Sequence, residues 1–171
     1  QPVVAGGAGH HAGLTLLRGE QRNRGQGAAH LEGAGDLVVL AFQVHVRAGL
    51  RALDVQEGED ILEIGFGTGE ALLSLAGSVG SDGQVYGVDI STGMARGAKE
   101  KLTKAGLGER VALVCADGAR VPLASQTADG LLLTFTLELF DTPRMPLVLD
   151  ECGRLLKQGG RLAVVSLSRR D

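Results

Sequence analysis

Glu63, Gly65, Gly67 and Gly69 fall within one short run, Glu63-Ile64-Gly65-Phe66-Gly67-Thr68-Gly69. Alternating glycines let a backbone turn sharply and approach a ligand closely, and a helix starting beyond them presents free N–H groups to an anion. A dinucleotide fingerprint would place its third glycine at position 70, where this chain has Glu70, poorly suited to a pyrophosphate. A Gly-Lys-Ser/Thr phosphate loop is absent. Asp89 closes Val85-Tyr86-Gly87-Val88-Asp89, 20 residues after Gly69. A carboxylate at the carboxyl end of a strand can accept both hydroxyls of a ribose, whereas alone it reads as a solvated strand end. Asp117-Gly118 is the third candidate: its carboxylate could accept from an adenine amino group, or the pair could simply form a turn. The glycine run itself could likewise be a purely structural strand-to-helix turn.

These residues need elements that bring them to one edge. Asp60 to Ile64 is a short apolar strand, and Leu72, Leu75, Ala76 and Val79 recur at helical spacing after the glycine loop. Ser81-Asp82-Gly83 marks a turn before a second strand, Gln84 to Val88, that ends at Asp89. Ser91 suits an N-cap for a helix over Thr92 to Ala105, with Met94, Ala98, Leu102 and Ala105 on one face and Gly106 at its end. Val111 to Ala116 and Gly130 to Thr136 are the third and fourth strands. A helix is expected from about Pro143 to Lys157, stopped by Gly159-Gly160, with a fifth strand over Arg161 to Ser168. Strands and helices alternating at this spacing imply a Rossmann-like, doubly wound parallel α/β sheet. Residues 1–48 differ in kind: they hold all four histidines, His10, His11, His30 and His45, and nine glycines at irregular spacing. They are expected to form an irregular segment. Only Asp36 to Leu53 could form a helix, and Val38, Val39, Val44 and Val46 weigh against it.

Composition narrows the function. The 171 residues are 44% hydrophobic and 22% charged, which suits one globular domain. A net charge of −3 with no run of like charge longer than two residues gives no basic face for nucleic acid. No uncharged apolar stretch approaches the roughly 18 residues of a membrane span. The first 17 residues carry no Lys or Arg, unlike a secretory leader. Cys115 and Cys152 sit among apolar residues without CxxC spacing, so both are expected to be buried thiols, with no metal site, in a reducing cytoplasm.

The sequence resembles the class I S-adenosylmethionine-dependent methyltransferases, and most of all the small-molecule group that includes the ubiquinone and menaquinone biosynthesis enzymes. The resemblance spans residues 50–168. It rests on Leu62-Glu63-Ile64-Gly65-Phe66-Gly67-Thr68-Gly69, Val85-Tyr86-Gly87-Val88-Asp89, Cys115-Ala116-Asp117-Gly118 and Leu155-Leu156-Lys157-Gln158-Gly159-Gly160-Arg161-Leu162. It implies that S-adenosylmethionine is the cofactor and that residues 49–171 form the domain that binds it. By that resemblance Glu63, Gly65, Gly67 and Gly69 surround the methionine portion, Asp89 holds the ribose, Ile90 packs on the adenine and Asp117 meets its amino group. Phe66, Thr68, Met94, Gly118 and Thr134 complete the implied cofactor-binding set. Phe66 stands where Cys is common, and Gln158 where Pro usually precedes the two glycines. The family's sheet continues for two further strands, so the chain reads as truncated after the fifth. Its open edge, carrying Leu162, Val164, Val165 and Leu167, is expected to drive self-association.

Methyl transfer from a sulfonium is an in-line displacement that needs mainly approach geometry, and no catalytic residue is assigned. Thr136, Glu138 and Asp141 are the candidate bases near the end of the fourth strand, with a plain loop or helix-start carboxylate the favoured reading of Glu138. The expected function is methyl transfer to a small-molecule acceptor. The alternatives are a chain that only binds cofactor or is inactive, and a nicotinamide-dependent oxidoreductase, which the Gly-x-Gly-x-Gly spacing disfavours.

Overall fold

The computed structural model describes the backbone of residues 13–18 and 34–166, with side chains over 43–166. Six strands, β1 (Gly13–Arg18), β2 (Asp60–Ile64), β3 (Gln84–Asp89), β4 (Val111–Cys115), β5 (Ala128–Thr134) and β6 (Leu156–Ser166), form one sheet in the order β1-β6-β5-β2-β3-β4. Every neighbouring pair is parallel. Four helices connect them: α1 (Ala34–Leu53), α2 (Glu70–Ser78), α3 (Thr92–Lys104) and α4 (Met145–Leu155). Chain order runs outward from β2 through β3 to β4 on one side, and through β5 to β6 on the other. The reversal opens a crevice at the carboxyl ends of β2 and β5, the place where sheets of this kind bind ligands.

Alternation along the central strands feeds two cores. Ile61 and Leu132 join Leu72, Leu75, Ala98 and Leu102 of α2 and α3 and Val46 and Leu53 of α1. Leu62, Ile64, Leu131 and Leu133 face the other way, onto Val148, Cys152 and Leu155 of α4. Both faces of β2 and β5 are therefore covered, which explains their continuous apolar runs. Leu131, Leu132 and Leu133 are fully buried, and truncating any one to Ala costs about 2–5 kcal/mol.

The segment before residue 49 departs from expectation. The boundary expected there falls inside α1, which packs on β5 and β6 despite its valines. Propensity loses to burial: Val46 is in the core, and Gly49 lets the helix approach Val165 and Leu132. Arg161 anchors the end of α1, its Nε donating to the Leu53 carbonyl at 2.7 Å and its Nη2 to Glu59 at 2.6 Å. Gly13–Arg18 is strand, and it pairs with β6 from Gly13↔Arg161 to Arg18↔Ser166. The edge expected to be open is thus covered by β1, and Leu162, Val164 and Val165 are buried; Leu167 lies outside the described residues. His10, His11 and His30 also lie outside them.

Other differences are local. The helix expected from Pro143 begins as a 3-10 turn, Thr142–Arg144, and the α-helix runs only to Leu155. The chain then enters β6 through an irregularity opposite Ala128–Gly130. Cys152 is buried as expected, but Cys115, the last residue of the edge strand β4, is exposed.

Candidate functional site

The glycine loop leaves β2 at Gly65 and enters α2 at Glu70. Gly65 has φ 79°, and a Cβ there would lie 2.2 Å from Thr136 Oγ1, so only glycine fits against the end of β5. Gly69, also at φ 79°, is the N-cap of α2, and a Cβ would lie 2.9 Å from the Ala98 Cβ. Gly69 therefore serves the packing of α2 on α3 and is not among the residues lining either compartment. Gly67 is different: nothing lies within 4 Å of the position its Cβ would take, which leaves backbone open to a ligand.

Asp89 ties the site together. Its Oδ2 accepts from the Gly67 N–H at 2.9 Å and its Oδ1 from the Ser91 N–H at 2.9 Å. The carboxylate thereby fixes both the glycine loop and the start of α3, where Ser91 caps the helix by accepting from Met94 N. Each oxygen keeps a second lone-pair direction for a hydroxyl donor.

Two compartments meet at the sheet's carboxyl edge. The first, about 260 Å³, is lined by Gly65, Asp89, Ile90, Asp117, Gly118 and Arg144, among others. The second, about 400 Å³, takes Glu63, Phe66, Gly67, Thr68, Met94 and Thr134. Gly65, Asp89, Thr136 and Leu139 belong to both. Apart from Gly69, every residue expected at the site lines one or both. Ile90 and Leu139 are 76% and 80% exposed, apolar side chains left at the rim of a cleft rather than in a core.

The second compartment has an electrostatic peculiarity. Glu63 is buried, its Oε2 has no hydrogen-bond partner, and burial, with the nearby Asp89 charge second, pushes its carboxyl up to about 8. Thr134 Oγ1, on the neighbouring strand, is also buried without a partner. A cationic group with N–H donors would satisfy both, so the donor set fits the sulfonium and ammonium end of a methionine-derived ligand. In the first compartment, the Ala119 N–H and then the Arg144 guanidinium hold the Asp117 carboxyl below its usual range. Among the described residues no group of three His, Cys, Asp or Glu could hold a metal ion.

The candidate bases separate. Thr136 is buried, and its hydroxyl donates to the Thr134 carbonyl at 3.1 Å, which makes it a packing and hydrogen-bonding residue. Glu138 lines neither compartment, and Asp141 lines only the first. Sequence reasoning missed Phe135, Phe140 and Arg144. Phe135 lines the second compartment with φ 53°, rare for a bulky residue, and its ring meets His45 of α1 edge-on at 5.7 Å. Nothing in the sequence marks such a conformation. Arg144 and Phe140 reach the site only through the fold of the loop after β5.

Comparison with known proteins agrees with this geometry. Residues 61–160 match the methyltransferase domain family. The demethylmenaquinone methyltransferase of Bacillus mycoides is 32% identical over 134 residues, 77% of this chain and 55% of that protein. The enzyme of the same name from Listeria monocytogenes is 31% identical over equal shares. Among solved structures, a SAM-dependent methyltransferase from Aquifex aeolicus superposes with a TM-score of 0.63 at 30% identity, over 74% of this chain and 66% of that one. A SAM-dependent O-methyltransferase from Thermotoga maritima gives 0.60 at 31% identity, over 71% and 43%. The chain belongs to the methyltransferase domain family, and its fold is that of the class I S-adenosylmethionine-dependent enzymes. It spans about half the length of the curated relatives it matches.

Proposed function

We propose that the chain binds S-adenosylmethionine across the two compartments and transfers its methyl group to a small-molecule acceptor. The observation that carries this reading is the pair of compartments joined at Asp89: one with the size and polar groups for an adenosine, the other with a buried carboxyl lacking a cationic partner. The bound cofactor supplies a methyl group already activated on a sulfonium. Asp89 accepts from the ribose hydroxyls, Asp117 from the adenine amino group, and Glu63 and Thr134 face the methionine end. Met94, Phe135 and Leu139 exclude water from the open side of the second compartment. With the reaction needing mostly alignment, a site without an assigned base is sufficient.

The names of the relatives favour a small acceptor, and the net charge of −3 gives no support for a nucleic-acid substrate. Among the described residues no helix is long and apolar enough to cross a membrane, and we assign the protein to the cytoplasm, where two free thiols are at home. A nicotinamide cofactor is disfavoured by Glu70, whose carboxylate stands at the α2 N-terminus and pairs with Lys101. Calorimetric titration with S-adenosylhomocysteine and NADH tests the reading. Binding of the first but not the second is expected, and Asp89→Ala is expected to weaken it about tenfold or more, against little change for Asp82→Ala. Preference for NADH refutes the reading. Cofactor binding without methyl transfer identifies a binding-only chain.

A further inference from the structure

The charge around the second compartment is one-sided. Glu63, Glu70 and Asp89 all line it, and among the described residues no Lys, Arg or His does so. Glu70 is the acidic residue in the first turn of α2. A helix N-terminus is where a ligand anion would find free N–H groups, and here a carboxylate of the chain already stands. Lys101 of α3 pairs with Glu70 but is not itself among the lining residues.

Side-chain exposures of 40% for Lys101 and 47% for Glu70 make this a surface ion pair, which adds little to stability and only partly cancels the Glu70 charge. Its effect lies in what the compartment offers a zwitterion. The methionine end of the ligand carries an ammonium and a carboxylate on one carbon. For the ammonium there are acceptors, above all the buried Glu63 Oε2, which has no other partner. For the carboxylate there are only uncharged groups, such as the Thr68 and Thr134 hydroxyls, and the Glu70 charge repels it.

We propose that Glu70 is a specificity-determining residue of the second compartment: it makes the site favour the amine of the ligand and disfavour the carboxylate, so that a ligand without the carboxylate binds at least as tightly as one that carries it. Lys101 moderates this discrimination by partly neutralising Glu70. The inference rests on the cofactor reading above and concerns which charged groups of that ligand the site recognises.

The test is calorimetric titration of S-adenosylhomocysteine and its decarboxylated counterpart, which keeps the amine, into the full chain and into Glu70→Gln, Glu70→Asp and Lys101→Met. The parent is expected to bind the decarboxylated compound at least as tightly as S-adenosylhomocysteine. Glu70→Gln is expected to shift the ratio of the two affinities about threefold or more toward S-adenosylhomocysteine, and Lys101→Met to shift it about twofold the other way. Glu70→Asp keeps the charge and should keep the parent's ratio, and added salt should shrink every shift. An unchanged ratio in Glu70→Gln overturns the inference, including the case where both affinities fall together, which indicates that Glu70 serves only the α2 N-terminus. A parent that binds S-adenosylhomocysteine about tenfold more tightly than the decarboxylated compound overturns the inference alone, since the carboxylate then has a strong partner. A parent that binds neither compound overturns the cofactor reading and the inference with it. If Glu70→Gln does not fold, the opposite shift in Lys101→Met decides.

Discussion

Replacing Glu63 by Gln isolates the electrostatics of the second compartment before any ligand is added. The folded chain keeps the Glu63 proton up to about pH 8, while the unfolded chain releases it near 4.5. Across that interval the folded state binds more protons, so stability must fall as pH rises. Between pH 5.5 and 8 the loss amounts to about two pH units of linkage at about 1.4 kcal/mol each, about 3 kcal/mol in all. Gln has nearly the same shape and no charge, and so removes this slope. Urea unfolding of parent and variant at the two pH values measures it, and taking the difference cancels titration of the histidines. The parent should lose about 3 kcal/mol relative to Glu63→Gln. Parallel loss of stability in the two proteins would falsify the account of Glu63 as a buried carboxyl without a partner. A cationic ligand end placed against Glu63 should also drive its proton off. Titration of S-adenosylhomocysteine at pH 7 in buffers of different ionisation enthalpy should therefore show proton release in the parent and none from Glu63→Gln.

Gly65→Ala should cost about 3 kcal/mol or more in urea unfolding, because its Cβ meets Thr136 and the residue sits at positive φ; Thr136→Gly should relieve only the steric share. An aromatic disulfide reagent should label one thiol, Cys115, in the native chain and reach Cys152 only in denaturant, since Cys152 is buried and its thiol is pushed up to about 12. Equal labelling rates refute that assignment. Removing residues 1–18 uncovers the β6 edge and should produce concentration-dependent association in sedimentation, whereas a stable monomer at high micromolar concentration refutes the protective role of β1.

The sequence carried the part of this fold whose signals are local. Short apolar runs bounded by turns and helical spacing placed β2, β3, α2 and α3 within a residue or two, and the glycine spacing with Asp89 located the crevice. Signals that depend on tertiary partners were not legible. The valines of α1 argue against a helix until its packing on β5 and β6, with Val46 in the core, outweighs propensity. Nothing in Gly13–Arg18 says which edge it joins. Gly69 belongs to the ligand motif by spacing, and its close packing on Ala98, nearly thirty residues on, carries no local signal. Cys115 has the apolar neighbours of a buried thiol and is exposed at the end of an edge strand. Arg144 became a candidate only when the loop after β5 brought it to Asp117.

The pairing of β1 with β6 sets an order for self-assembly. Residues 13 and 161 become hydrogen-bonded neighbours, so this ladder closes a loop that contains nearly the whole chain. Such closure has a large entropic cost and is repaid only after β2 to β5 have formed the surface on which β6 lies. On a ribosome the first strand emerges long before its partner exists, and it must wait unpaired through the synthesis of every other strand. The β1–β6 ladder should therefore form last in folding and open first in unfolding. Backbone amides of Gly13–Arg18 should exchange with solvent faster than those of Ile61–Ile64, although both belong to one sheet.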